Sequence, residues 1–148
     1  MQIKFKNGDL QNIYNFLTGL NIKGAGVNRA RFQVVKLFES KVKEFTDART
    51  ELITQYAKKD VSGNVISKGG EVEVLPNKLA EFNSEYNDLM SEDTLLTIDD
   101  YRAKFRVLYD FLTKYDEELT GADGYVYGAF LDEMERVGVN HANNKPNN

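Results

Sequence analysis

The sequence predicts an α-dominated α+β fold of about five helices. Apolar residues recur every three or four positions in several stretches, which is the spacing of core-facing helices. A glycine-punctuated segment, residues 60–75, separates two of these stretches and has the turn residues of a β-hairpin. A chain of 148 residues can bury one core of ordinary size. We therefore expect a single α-rich domain over residues 1–139.

The N-terminal segment is predicted to form a short strand followed by a helix. Polar and apolar residues alternate from Gln2 to Lys6, and the pair Asn7-Gly8 then favours a turn. Asp9 can cap a first helix, whose apolar residues continue at helical spacing to Leu20. These two elements would contribute the first part of the core.

The longest element is a helix predicted over residues 28–57, with Asn28 as its N-terminal cap. Its apolar side chains follow a heptad spacing that only Arg49 interrupts. The seam consists of Val35, Phe38, Val42, Phe45, Leu52 and Tyr56. Such a helix would measure roughly 45 Å, more than a compact domain of this mass needs, so a homodimer through it is a further expectation.

The segment after this helix is predicted to form the hairpin and an antiparallel return helix. Turn residues occur at 62–64 and 69–70, and Glu alternates with Val over residues 71–74. Helical spacing resumes over residues 77–90, where the seam continues through Leu79, Phe82, Tyr86 and Leu89. We therefore expect a long antiparallel helix pair with the hairpin at one end.

The C-terminal part is predicted to contain one strand, two helices and a polar tail. Residues 93–98 favour a strand, Asp99 can cap the next helix, and the last helix is expected over about 123–137. The chain ends in HANNKPNN, so residues 140–148 are expected to be disordered.

The residue types that mark most catalytic and metal sites are scarce. The chain has no Cys and a single His, His141, which falls in the predicted tail. Nucleophilic Ser-His or Cys-His pairs and zinc sites are therefore not expected. We expect a non-enzymatic protein without metal or cofactor, in a reducing compartment and not in a membrane, since no apolar run approaches the length of a bilayer span.

Charge is divided unevenly along the chain. Residues 1–57 carry nine basic and five acidic side chains, whereas residues 77–140 carry six basic and fifteen acidic ones. The two parts could attract each other inside the protein, or one-sign surfaces could steer an anionic ligand or a basic partner. The net charge of −4 disfavours nucleic acid as a partner.

The strongest signal for a ligand lies in the turn before the long helix. Free backbone amides and the helix dipole favour phosphate or carboxylate at such a helix start, and arginines can grip the anion. The predicted ligand-binding residues are Lys23, Gly24, Gly26, Arg29 and Arg31. The alternative interpretation is an ordinary turn with solvated cations, because the segment lacks the spacing of a phosphate loop.

A second candidate surface lies near the start of the last helix. Tyr125 and Tyr127 could present rigid amphipathic rings to a partner protein. Tyr101 and Tyr115, in contrast, fit the core-facing stripe of the preceding helix. Alternation at a helix start leaves one of Tyr125 and Tyr127 free to face inward.

Four passages of the chain carry a family resemblance. They are IKFKNGDLQNIYNFLTGLNIKG, the helix start NRAR, QYAKKDVSGNVI and YDEELTGADGYVYGAFLDEM, within residues 2–137. Together they resemble a family of small phage and prophage proteins of low-GC Gram-positive bacteria, a domain of unknown function. The resemblance implies a phage origin and supplies no site residues.

With such an origin, the expected function is stoichiometric binding. A small accessory phage protein would neutralise or redirect a host or defence component in the host cell cytoplasm. Two alternatives stay open: a structural or assembly protein of the virion or tail, and a sponge that binds a nucleotide signal at residues 23–31.

Overall fold

The computed structural model describes residues 1–141, in which five α-helices accompany two small antiparallel sheets. The strands are β1 (Gln2–Lys6), β2 (Ser67–Lys68), β3 (Glu71–Val72) and β4 (Asp93–Thr97). The helices are α1 (Leu10–Thr18), α2 (Ala25–Tyr56), α3 (Leu79–Ser91), α4 (Arg102–Leu112) and α5 (Ala122–Arg136). The predicted α+β class, the N-terminal strand and the hairpin between two helices are confirmed.

Strands β1 and β4 pair although they are far apart in the chain. Residues 2–6 of β1 are matched with residues 93–97 of β4 in antiparallel register. The alternation predicted for β1 buries Ile3 and Phe5 and leaves their neighbours exposed. The side chain of Asn7, buried after β1, donates a hydrogen bond to a backbone carbonyl of α3 at 2.9 Å. The sheet therefore fixes the start of the chain to the segment that follows α3.

The core is built around a cluster of phenylalanine rings from β1, α2, α4 and α5. The ring centroid of Phe5 lies 5.7 Å from that of Phe38 and 6.2 Å from that of Phe130. The centroid of Phe105 lies 6.5 Å from that of Phe130. Each such pair contributes about 0.5–1.5 kcal/mol beyond the burial of its surface. The first half of α2 is therefore a core helix.

The second half of α2, the hairpin and α3 form an arm, defined as residues 46–91, of which only Leu89 and Met90 pack against this core. Only Tyr56 and Ala57 are buried within it, and α3 contains no buried residue. The ring of Tyr56 packs edge-on against Phe82 with centroids 5.8 Å apart. Near the other end of α3, Glu92 borders the same groove as Ala48 of α2. The two helices therefore run antiparallel, as predicted.

The predicted seam of this helix pair is only partly buried. Phe82, Tyr86 and Leu89 are half-buried, and Leu79 is 49% exposed. In the first half of α2, Val34 is fully buried, whereas its neighbour Val35, which the heptad pattern places in the seam, is half-buried. The arm has two helices and no third layer, so the seam side chains other than Leu89, which also packs against the core, are covered by one neighbouring helix only.

The hairpin depends on two turns, as the sequence indicated. Gly69 and Gly70 have φ angles of 59° and 83°, and two successive positive φ angles are what a type I′ hairpin turn requires. In the other turn, the Asp60 carboxylate accepts the backbone N–H groups of Ser62 at 2.9 Å and Asn64 at 3.0 Å. Both turns are therefore stabilised by local interactions.

The predicted helix caps are observed only in part. Gly24 occupies the cap position of α2 in an extended conformation, and its carbonyl accepts the N–H of Asn28 at 3.0 Å. The prediction of Asn28 as the cap is wrong, because it lies inside the first turn and accepts a hydrogen bond from Arg31. Asp9 occupies the predicted cap position of α1, although without a side-chain cap hydrogen bond. Tyr101 holds the cap position of α4 in place of the predicted Asp99, whose carboxylate accepts hydrogen bonds from the N-terminal amino group of Met1.

After α5 the chain turns back onto α4. Arg102 donates a hydrogen bond to the carbonyl of Gly138 at 2.9 Å, and Val139 is buried. Of the predicted tail, residues 140 and 141 belong to this described end, while 142–148 lie outside the described residues. Disorder of the tail stays a prediction.

Candidate functional site

The residues predicted to bind an anion, Lys23, Gly24, Gly26, Arg29 and Arg31, are called the anion corner. They do not line one common groove. Lys23 and Gly24 border a groove of about 310 Å³ that also contains two carboxylates from the loop after α4. Arg29 and Arg31 border a different groove of about 460 Å³. Gly26, in the first turn of α2, has open space around it. The structure therefore brings the two arginines together and separates them from Lys23.

The two arginines of this corner have different surroundings. Arg31 is half-buried and donates to the carbonyl of Leu20 at 2.8 Å and to the side-chain oxygen of Asn28 at 2.5 Å. Arg29 is exposed and makes no side-chain hydrogen bond or ion pair within residues 1–141. Arg31 therefore closes the turn between α1 and α2, whereas the Arg29 guanidinium is held by neither of these bonds.

An exposed aromatic ring lies beside Arg29 in the same groove. Phe32 is 57% exposed, and the Nζ of Lys36 lies 4.6 Å from its ring centroid. Phe32 lies three residues before Val35, whereas the alternating spacing of the heptad seam leads back four residues, to Arg31. Sequence reasoning missed this exposed ring because spacing alone does not show which side chains are covered.

Of the two tyrosines predicted to contact a partner, only Tyr125 faces solvent. It is 68% exposed and borders a groove of about 390 Å³ between β1 and α5. Tyr127 is half-buried, and its hydroxyl donates to the carbonyl of Leu112 at 2.7 Å. Its ring also packs edge-on against Phe16. Tyr127 therefore contributes to packing, and Tyr125 is the one available to a partner.

An acidic groove of about 360 Å³ lies between α2 and α3. Ala48, Leu52 and Leu89 line it with apolar surface. Its acidic side chains are Glu51, Glu85, Asp88 and Glu92. Within residues 1–141 no lysine or arginine forms an ion pair with any of these four. The groove therefore combines apolar contact surface with uncompensated negative charge.

Tyr56 connects the two helices below this groove. Burial and hydrogen bonds with Glu85 and Glu81 raise the pKa of its hydroxyl above the ordinary range. The hydroxyl consequently stays protonated beside the carboxylates of Glu81 and Glu85 on α3. This buried contact holds the base of the hairpin between the two helices.

The outer end of the arm concentrates exposed apolar surface. Nine large hydrophobic side chains are exposed in the described residues, and five of them fall within residues 61–79. We call these five the hydrophobic tip: Val61, Val65, Val72, Leu75 and Leu79. Scattered apolar residues are normal on a protein surface, whereas a concentration of them marks a contact surface.

The carboxylates of the described chain do not converge on one point. No group of three or more His, Asp or Glu side chains in residues 1–141 is placed to hold a metal ion. Glu73, which the sequence places on one strand face with Glu71, is instead paired with Lys58 at 3.5 Å and Lys68 at 3.2 Å. Among the same residues, no helix is long and apolar enough to span a membrane.

The fold and its surfaces define a small α+β domain with a projecting helical arm. A family model described as Protein of unknown function (DUF1617) matches residues 1–139, and the chain belongs to this family. The expected membership of a family of unknown function is thereby confirmed. No curated protein and no solved structure matches the chain. The matched range includes the arm and every helix and strand given above.

Proposed function

We propose that this protein is an accessory phage protein that acts by stoichiometric binding and neutralises or redirects a host or defence component. The hydrophobic tip carries the proposal. Its side chains are between 37% and 108% exposed in the described chain, and such concentrations of exposed apolar residues mark protein contact surfaces.

The arm suits this role because it holds the tip away from the core. Helix α2 has 32 residues and therefore extends roughly 48 Å, with its first half in the core and its second half in the arm. A partner can contact the hairpin without contacting the core. Full burial of one Val or Leu side chain contributes about 1.5–3 kcal/mol before the costs of association are subtracted. A few tip residues could therefore support specific binding.

The family resemblance supports the phage origin and with it the host cell cytoplasm as the place of action. A chain without Cys fits a reducing compartment. The alternative, a structural or assembly protein, would place the chain in the virion. The two differ in where the protein is found after infection.

Affinity capture from infected cells tests the proposal. The tagged protein is expected to retain one host protein at equal stoichiometry, as quantified by mass spectrometry. The variant Val72→Glu/Leu79→Glu should lose this protein, because charge at the tip opposes burial. Val107→Glu on α4 is a matched control, since Val72 and Val107 are 38% and 39% exposed.

Two results would contradict the proposal. Retention of the host protein by the tip variant at wild-type level would show that the tip is not the contact surface. A fixed copy number of the protein in purified virions, with no host protein captured, would favour the structural alternative.

A further inference from the structure

The acidic groove between α2 and α3 has the geometry of a groove that binds a helix. Its residues follow the spacing i, i+3, i+4, i+7 on both sides, so each set lies on one face of its helix. The two sets are Ala48, Glu51, Leu52 and Gln55 on α2, and Glu85, Asp88, Leu89 and Glu92 on and directly after α3. Each set extends about 10 Å along its helix, or two turns. A third helix fits lengthwise between two such faces.

The floor of this groove is apolar surface that the arm leaves partly uncovered. Leu52 and Leu89 are half-buried, and no residue of α3 is buried. Ala48, also half-buried, has a small side chain that leaves room above it. A helix laid along the groove would therefore cover these side chains from a second direction.

The rims of the groove carry exposed carboxylates that lack a basic partner. All four are exposed, and no lysine or arginine pairs with them within residues 1–141. Glu73 and Glu81, elsewhere in the arm, are each paired with lysine. Carboxylates on a helix surface are by themselves ordinary solvated charges. Here they flank an apolar floor on both sides, so one ligand can meet both kinds of surface.

We propose that this groove binds a cationic amphipathic helix of a partner protein. Apolar side chains at the a and d positions of that helix would cover Leu52 and Leu89. Lysine or arginine at its e and g positions would meet Glu51 on one rim and Asp88 and Glu92 on the other. The hydrophobic tip contributes no residue to the groove, so this proposal does not rest on the proposed function.

Two other occupants fit the groove less well. An inorganic cation needs carboxylates that converge, and no group of three or more acidic side chains in residues 1–141 is placed to hold one. A second copy of this chain offers few cationic helices. Helices α1 and α3 contain no Lys or Arg, and Arg136, the one cation of α5, is bound to Glu133. Both arginines of α4 donate to carbonyls after α5, and Glu39 lies among the exposed cations of α2.

Fluorescence anisotropy with a synthetic peptide tests the proposal. The probe is a labelled two-heptad peptide with Leu at positions a and d, Lys at e and g, and Ala elsewhere. The wild-type protein should bind it saturably, and amide NMR signals should shift within residues 48–55 and 85–92. A peptide with Gln in place of Leu, which keeps every lysine, should bind at least about tenfold more weakly. Absence of saturable binding, shifts confined to other residues, or equal binding of the two peptides would overturn the proposal.

Neutralising the rims tests the charge contacts. The variant Glu51→Gln/Asp88→Asn/Glu92→Gln should bind the Leu/Lys peptide at least about tenfold more weakly than the wild type. Glu85 is kept because it lies beside Tyr56. The comparison of the two peptides uses only the wild-type protein, so it decides the matter even where this variant fails to fold.

A matched control removes three exposed carboxylates outside the groove. The variant Asp116→Asn/Glu118→Gln/Asp132→Asn changes the net charge by the same amount and should bind the peptide like the wild type. Equal weakening in both variants would show that the peptide responds to net charge alone and would overturn the proposal.

Sedimentation of the protein with and without the peptide tests a second copy as the occupant. The mass of the protein assembly should not fall when the peptide is added. A dimer that the peptide dissociates would assign the groove to a second copy and overturn the proposal. Such a failure would leave the hydrophobic tip untouched, because affinity capture tests the tip separately.

Discussion

The carboxylate of Glu133 accepts a hydrogen bond from the backbone N–H of Lys4 at 2.8 Å. Arg136 donates from Nε to the same carboxylate at 3.0 and 2.9 Å and from a terminal nitrogen to the carbonyl of Gln2 at 3.1 Å. Helix α5 is thereby bonded to the edge of β1 that β4 leaves free. Burial opposes ionisation of Glu133, but the bonds from Arg136 and Lys4 outweigh it and hold the pKa of this carboxyl below its ordinary value.

This pair predicts a pH-dependent contribution to stability. Because the pKa of Glu133 is lower in the folded state, its contribution is fully present above the unfolded pKa of about 4.3 and is lost as pH falls through the folded value. We expect Glu133→Gln to lower the free energy of unfolding by about 1 kcal/mol at pH 7, allowing for partial exposure.

Urea denaturation at pH 7 and at pH 3 measures this contribution. The difference between wild type and Glu133→Gln should shrink at the lower pH. Asp132→Asn removes a neighbouring exposed charge on the same helix and should leave stability nearly unchanged at both. An equal loss at both pH values for Glu133→Gln would contradict the prediction.

The phenylalanine cluster predicts a large difference between two substitutions in α2. Phe38 is fully buried against Phe5 and Phe130, so Phe38→Ala should cost about 3–5 kcal/mol of unfolding free energy. Phe32→Ala, on the exposed side of the same helix, should cost less than about 1 kcal/mol. Chemical denaturation of both variants measures the difference in unfolding free energy. Similar midpoints would show that Phe38 is not part of the core.

The hairpin turn predicts a local effect of backbone strain. Gly70 has a φ of 83°, so Gly70→Ala should destabilise the hairpin by about 1 kcal/mol. Gly26→Ala lies in a helix with open space around it and should be neutral or stabilising by about 0.5 kcal/mol. Hydrogen exchange should show faster exchange of the β2 and β3 amides in the first variant only. Unchanged protection would argue against the type I′ turn.

The turn between α1 and α2 predicts unequal roles for its two arginines. Arg31→Ala removes two hydrogen bonds and should lower the unfolding free energy by about 1–2 kcal/mol. Arg29→Ala should change it by less than about 0.5 kcal/mol. Thermal denaturation compares them, and equal melting temperatures would contradict the assignment of Arg31 as a structural residue.

The same variants test the anion corner predicted from the sequence. Titration with inorganic phosphate, followed by NMR, should shift the amides of residues 25–29 in the wild type and not in Arg29→Ala. The variant keeps its fold, so the loss would report on binding. If phosphate leaves the wild-type amides unshifted, the corner is an ordinary turn.

Local sequence patterns predicted the elements of this fold but not what covers them. Alternation identified β1, and the pair Gly69-Gly70 identified a turn, because these conformations depend on nearby residues. Spacing alone placed Leu79 in a seam, yet α3 has no third helix against it. The cap of α2 was missed because Gly24, in an extended conformation, has no side chain and caps the helix through its backbone alone.

The candidate sites were predictable only in part, since they depend on contacts between distant segments. Lys23 and Arg29 are close in sequence, but the loop after α4 helps to enclose Lys23 in a groove of its own. Tyr127 differs from Tyr125 in that its hydroxyl donates a hydrogen bond to the carbonyl of Leu112, and no local sequence pattern reveals this contact. The acidic groove likewise requires the geometry of α2 and α3.

The pairing of β1 with β4 also bears on how the chain folds. Bringing two distant strands together requires closing a long loop, whose entropic cost must be met before their contacts form. Helices form on a much faster timescale, and the antiparallel arrangement of α2 and α3 returns the chain towards its starting point. The arm thus shortens the remaining conformational search by which β1 and β4 come together. A segment that contributes little to the native core can therefore govern the rate at which that core is reached.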